Sequence, residues 1–228
     1  MTSAQLALSF AHRPALGRED FLVAPSNADA VAWVDSWPDW PARAIVVYGP
    51  EGSGKSHLAQ TWRLRAAAAE LPATDVSGDA LGGADAFVVE DVDLNPPVEA
   101  DWFHFLNLLA ERRKWALFTA RLAPIRWQTA LPDLSSRMRA LPAVGIARPE
   151  DTLVEAVLVK HLTDRQLRVA PEVVRYVAQR LERSLAAVAR VAAALDAAAL
   201  AQKRAPTIPL ARQVMRAEGF ELDHLERE

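Results

Sequence analysis

A chain of 228 residues, 51% hydrophobic and 24% charged, is long enough for a main domain with a smaller appendage, and its balance excludes a disordered polyampholyte. A formal net charge of -3 excludes a globally positive field drawing the whole surface onto nucleic acid and leaves only local basic patches for such contacts. With no cysteine, disulfides, thiolate nucleophiles and thiolate metal sites are excluded, and compartment is left open.

The first apolar feature is Ala4–Phe10, AQLALSF, ahead of a linker-like stretch, AHRPALGRED. So short a strip cannot form its own core, so either the body of the protein or another protein must cover it. No basic segment followed by a long apolar run stands at the N-terminus, so no secretory signal is expected and the chain reads as cytoplasmic. Trp33, Trp37 and Trp40 in VAWVDSWPDW have helical spacing and predict a helix packed near an adenine pocket or in the core.

AIVVYG, from Ala44, is an apolar run ending in glycine, and PEGSGKSHLAQTWRLRAAAAEL after it has helical spacing and strong helix formers. The turn between them, Gly49–Ser56 (GPEGSGKS), fits G-x-x-x-x-G-K-[ST] at every fixed position. Glycines let the backbone curl until its N–H groups face phosphate oxygens, and the helix N-terminus adds a favourable field. Gly49, Pro50, Glu51, Gly52, Ser53, Gly54, Lys55, Ser56 and His57 are therefore the candidate nucleotide contacts. Lys55 would neutralise the β and γ phosphates of ADP or ATP, and Ser56 would ligate Mg²⁺.

AFVVED (86–91) is a second apolar run, ended by acids. Glu90 takes the metal-side position and Asp91 the position that would polarise an attacking water. Glutamate in place of the commoner aspartate lengthens the reach to Mg²⁺, which allows binding with weakened hydrolysis. ADWFHFLNLLAERRK then reads as an amphipathic helix, WALFTA (115–120) as a third strand and AVGIA (143–147) as a fourth. Continuous apolar strands alternating with helices predict an α/β domain with a parallel sheet covered on both faces.

After Pro149 the pattern turns helical, in EDTLVEAVLVKHLTDRQ, PEVVRYVAQRLE, SLAAVARVAAALDAAALAQKR and TIPLARQVMRAEGF. SLAAVARVAAALDAAALAQ is the most apolar stretch, but Arg190 and Asp196 interrupt it, and it reads as a buried helix rather than a membrane span. The predicted organisation is an N-terminal peptide and linker over 1–19, a nucleotide-binding domain over 20–149 and a helical lid over 150–228. His12, His57, His104, His161 and His224 have no metal-ligand spacing, so the only metal expected is Mg²⁺ carried by nucleotide.

The succession YGPEGSGKSHLAQTW, VVEDVD, LFTARLAP, LPDLSSRMRA and RPEDTLVEAVLVKHLTDRQLRVAPEVVRYVAQRLERS resembles the AAA+ region of the DnaA initiator family, and more closely its short Hda branch. The resemblance covers about residues 20 to 217. It implies that Arg137 is an arginine finger reaching a neighbouring subunit's nucleotide, with Arg139 and Arg148 as nearby alternatives. It implies that Thr119 is a sensor of the γ phosphate, although Arg121 stands where initiators tend to carry an acid. In the lid, Ala186 stands where an arginine normally touches nucleotide, and Arg183, one turn earlier, is the local replacement. No helix-turn-helix region is expected after Ala217, so specific DNA binding of the chain's own is not expected.

Within that resemblance, Gln5–Phe10 (QLALSF) looks like the peptide by which replication proteins dock on the sliding clamp, the beta subunit of the DNA polymerase. The Gln5 amide can donate and accept in a polar niche, while Leu6, Leu8 and Phe10 fill an apolar groove. The implied function is a cytoplasmic adaptor with weak or absent ATPase of its own. It would bind the clamp on DNA and the initiator DnaA, promote hydrolysis of DnaA-bound ATP and so restrain replication initiation. Self-association as a homodimer stays open. The alternatives are a helicase loader or other DnaA-related assembly factor, without clamp affinity, and a small-molecule phosphotransferase, for which acceptor-site residues are not visible.

Overall fold

The computed structural model describes residues 21–77 and 81–220; Gln5, Leu6, Leu8 and Phe10 lie outside the described residues. The strands are β1 (Ala44–Tyr48), β2 (Ala69–Leu71), β3 (Ala86–Val89), β4 (Trp115–Ala120) and β5 (Ala143–Gly145). They form one sheet in the order β2-β3-β4-β1-β5, and every neighbouring pair is parallel.

Alternation along the strands feeds two cores. Val46, Phe87, Val89 and Phe118 face α3 (Glu99–Glu111) and α4 (Pro132–Ala140), whereas Ile45, Val47, Val88 and Leu117 face α1 (Ala28–Asp35) and α2 (Lys55–Ala66). Both faces being covered is why these runs are apolar throughout, each such side chain contributing about 1.5–3 kcal/mol of burial. β2 has no such run to announce it, being the three-residue sheet-edge segment AEL.

Four helices follow: α5 (Asp151–Asp164), α6 (Pro171–Ala178), α7 (Leu185–Gln202) and α8 (Ile208–Ala217). Their buried faces make a third core, centred on Leu158, Val177, Val188, Val191 and Met215. By length and composition α7 could cross a membrane, but it buries Ala187, Val188, Val191, Ala192, Leu195 and Ala199 and packs on α5 and α8.

One expectation is corrected and another narrowed. The helix read over 171–182 stops at Ala178, because the chain must turn so that Ser184 Oγ can accept the Ala187 N–H and cap α7. Of the two places read for the tryptophans, Trp37 and Trp40 take the core and not the nucleotide cleft. Trp40 stacks on Trp62 at 5.1 Å, and Trp37 and Trp40 meet Trp115, the first residue of β4, edge-on. That is the N-terminal end of the sheet, opposite the glycine-rich loop; α1 ends at Asp35, and the segment that returns to β1 carries these rings there.

Candidate functional site

Parallel sheets place ligands beyond the carboxyl ends of their strands, and here the carboxyl end of β1 runs into the glycine-rich loop before α2. The loop is anchored at its start by the Gly49 N–H on the Ala120 carbonyl at 3.1 Å. A Cβ at Gly49 would strike the Ile146 carbonyl, and one at Gly52 would strike Ser184 Oγ. Gly52 and Gly54 also hold φ of 71 and 102, a region that favours glycine. Among the described residues, no backbone carbonyl takes the N–H groups of Gly52, Gly54, Lys55 or Ser56, and Ser53 Oγ is buried without a partner. Unspent amides at a helix start, with a buried lysine between them, fit an anion such as a nucleotide phosphate.

Lys55 is 7% exposed, and its Nζ donates to the Gly49 and Pro50 carbonyls at 2.9 Å each. Burial holds its pKa below the ordinary lysine value, with Asp91 opposing and Arg121 reinforcing that shift. Desolvation is a cost that a phosphate would offset.

The acids lie alongside. Glu90 accepts from Gln60 Nε2 at 3.3 Å, one helical turn beyond the exposed Ser56. Asp91 has a left-handed φ of 51, and its N–H donates to the Oγ1 of fully buried Thr119 at 3.0 Å. A hydroxyl and carboxylates are hard oxygen donors, the set Mg²⁺ takes together with phosphate.

Between the loop and the lid lies a cavity of about 500 Å³, walled by Phe21, Leu22, Leu153, Val157, Leu185 and Ala186. His57 lines it with its ring edge-on to Phe21 at 5.2 Å. Its apolar walls and volume suit a nucleoside. The lid is stitched to the loop by the Leu185 N–H on the Gly52 carbonyl at 2.7 Å.

Other predicted residues lie apart. Arg183 is engaged bidentately by Asp151, at 2.8 and 2.9 Å, and lines a neighbouring cleft with Pro50, Glu51, Arg148 and Arg190. Arg137 is exposed on α4, its guanidinium 5.1 Å from the Phe103 ring centre.

Sequence reading missed two supports. Asn27 is buried and spends its amide on the Ala24 N–H and the Leu22 carbonyl, building one wall of the cavity. Arg121 bonds Glu51 across 70 positions, and no local pattern encodes such a partner.

Residues 151–215 match the family "Hda, lid domain". No curated protein matches the chain in sequence. The fold is similar to domain III of the replication initiation protein DnaA from Thermotoga maritima, at 17% identity and TM-score 0.78, covering 91% of this chain and 98% of that one. AMPPCP-bound DnaA from Aquifex aeolicus gives 18% identity and TM-score 0.70 over 91% of this chain and 71% of that one. The RuvB Holliday junction branch migration motor of Thermotoga maritima gives 12% identity and TM-score 0.69 over 88% and 71%. The chain thus joins an α/β domain with the fold of DnaA domain III to a lid whose residues 151–215 match the Hda lid-domain family.

Proposed function

We propose that the chain is a nucleotide-binding regulatory adaptor of DNA replication, cytoplasmic, which docks on the DNA-loaded sliding clamp and promotes hydrolysis of ATP bound to DnaA. The observation that carries the reading is a lid of the Hda family joined by the Leu185 to Gly52 hydrogen bond to a complete phosphate loop.

In this reading Lys55 and the loop amides neutralise and orient phosphates, while Ser56 and Glu90 would hold Mg²⁺ and Asp91 would polarise a water. Bound Mg²⁺ would neutralise part of the phosphate charge. Thr119 keeps Asp91 in place through the Asp91 N–H. Arg183 holds the start of α5 through Asp151. Arg137, exposed on α4, is offered to the nucleotide of DnaA, where a planar guanidinium can bridge transferring phosphate oxygens. Gln5 would enter a polar niche of the clamp, and Leu6, Leu8 and Phe10 its apolar groove. The outcome is a DnaA held in its ADP form and restrained initiation.

The test is the clamp dependence of the effect. The loss of ATP from purified DnaA is followed with this chain, with and without clamp loaded on DNA, using wild type and Gln5→Ala with Leu6→Ala. The reading predicts acceleration by wild type only when clamp is present, lost in the double variant. No change in the DnaA-bound ATP with clamp present would refute it, and a chain that also fails to bind the clamp would favour an assembly factor such as a helicase loader.

A further inference from the structure

Arg121 follows the last residue of β4, and two independent contacts fix it over the phosphate loop. Both Asp93 carboxylate oxygens accept its backbone N–H at 2.9 Å, and Asp93 Oδ2 also takes the Leu122 N–H at 2.8 Å. The backbone is therefore held whatever the side chain does. The guanidinium then reaches across the loop, Nη2 lying 2.7 Å from Glu51 Oε2.

Glu51 is the oddity that this contact answers. It puts a carboxylate on a loop whose free amides are aimed at an anion, and unpaired it would repel phosphate. Arg121 could merely cancel that charge, but three observations point further. The pair is exposed, with side-chain accessibilities of 45% and 76%, and an exposed ion pair holds its partners weakly. A terminal phosphate carries more charge than a carboxylate and accepts a guanidinium bidentately, so it competes well for the arginine. Arg121 also leaves the strand two residues after Thr119, whose hydroxyl is bonded to Asp91, and its charge acts on Lys55. It therefore stands at the phosphate end of the cleft, away from the apolar cavity. In the lid, by contrast, Ala186 offers no cation, Lys160 and Arg165, which line that cavity, are engaged by Asp164 and by the His161 carbonyl, and Arg183 is engaged by Asp151.

We propose that Arg121 is a ligand of the terminal phosphate, exchanged from Glu51 when a nucleoside triphosphate enters, so that the chain tells triphosphate from diphosphate through its α/β domain rather than its lid. The inference rests on the nucleotide-binding reading above.

The experiment is equilibrium titration with Mg²⁺ and either fluorescent ADP or a fluorescent non-hydrolysable ATP analogue. The chains are wild type, Lys55→Ala, Arg121→Ala, Glu51→Gln and Arg121→Ala with Glu51→Gln. Arg121→Ala should weaken the triphosphate analogue by about tenfold, the loss of one charge-assisted contact, and leave ADP within about twofold. The double variant, which also removes the Glu51 charge, can gain affinity for both nucleotides alike but should stay without the triphosphate preference, as Arg121→Ala does. Equal changes for both nucleotides in Arg121→Ala, no change, or a triphosphate preference regained in the double variant would overturn the inference, since Arg121 would then only neutralise Glu51. A wild type that binds neither nucleotide, or binds as well with Lys55→Ala, would overturn the nucleotide reading and the inference together; loss with Lys55→Ala but not with Arg121→Ala removes the inference alone.

Discussion

Lys55 sits almost fully inside the loop, holding two carbonyls at 2.9 Å, and its replacement removes the one buried cation in the cradle. Lys55→Ala should weaken ADP and ATP alike by about a hundredfold or more, measured by fluorescence titration, because both lose phosphate neutralisation. Gly52 makes a sharper demand, since a side chain there meets both a left-handed φ and Ser184. Gly52→Ala should cost on the order of 1–3 kcal/mol in thermal or urea unfolding and loosen the loop from the lid. An unchanged midpoint together with unchanged nucleotide affinity would show that this approach is not needed. At this scale the sequence is eloquent about the loop, because each fixed position has a local backbone reason. It is silent about Arg121 with Glu51 and about Arg183 with Asp151, pairs separated by 70 and 32 positions.

Among the elements, β1, β3 and β4 are legible because apolar runs buried on both faces have no other use, and the lid helices because their apolar spacing is helical. β2 and α4 escape the pattern: one is three residues long, and the other buries only Leu134 and Met138 along a largely polar face. The N-terminus of α4 is instead fixed from α3, where Glu99 accepts the Ala130 and Leu131 N–H groups, a contact between segments. In the lid, Leu158 of α5 is fully buried in the helical core, so Leu158→Ala should destabilise the fold by about 2–5 kcal/mol in urea unfolding. His161, on the same helix, has its pKa held below 6.5 first by burial, then by Arg165, with Asp164 opposing and Lys160 and His57 adding to the lowering. The unfolded chain therefore takes up this proton more readily than the fold. The stability contributed by neutral His161 is full above pH 6.5 and declines as pH falls below it. Between about pH 7.5 and about pH 5.5 the melting temperature of wild type should drop more than that of His161→Gln; parallel curves would contradict this.

For the whole molecule, the loop and the cavity under the lid form one cleft, with Asp91 acting on Lys55 from just after β3, while Arg137 on α4 stands apart on Phe103. In the proposed function the chain holds one nucleotide and presents Arg137 to another, and the two roles should separate by mutation. The direct measurement is single-turnover hydrolysis of labelled ATP preloaded on DnaA, with clamp on DNA and a saturating amount of this chain as wild type, Arg137→Ala or Arg137→Lys. The account predicts that wild type accelerates hydrolysis, that Arg137→Ala loses about a thousandfold or all of the acceleration, and that Arg137→Lys restores little of it because a point charge cannot bridge two oxygens. It also predicts that the chain's own nucleotide affinity stays unchanged in both variants. Full acceleration by Arg137→Ala would contradict the central claim.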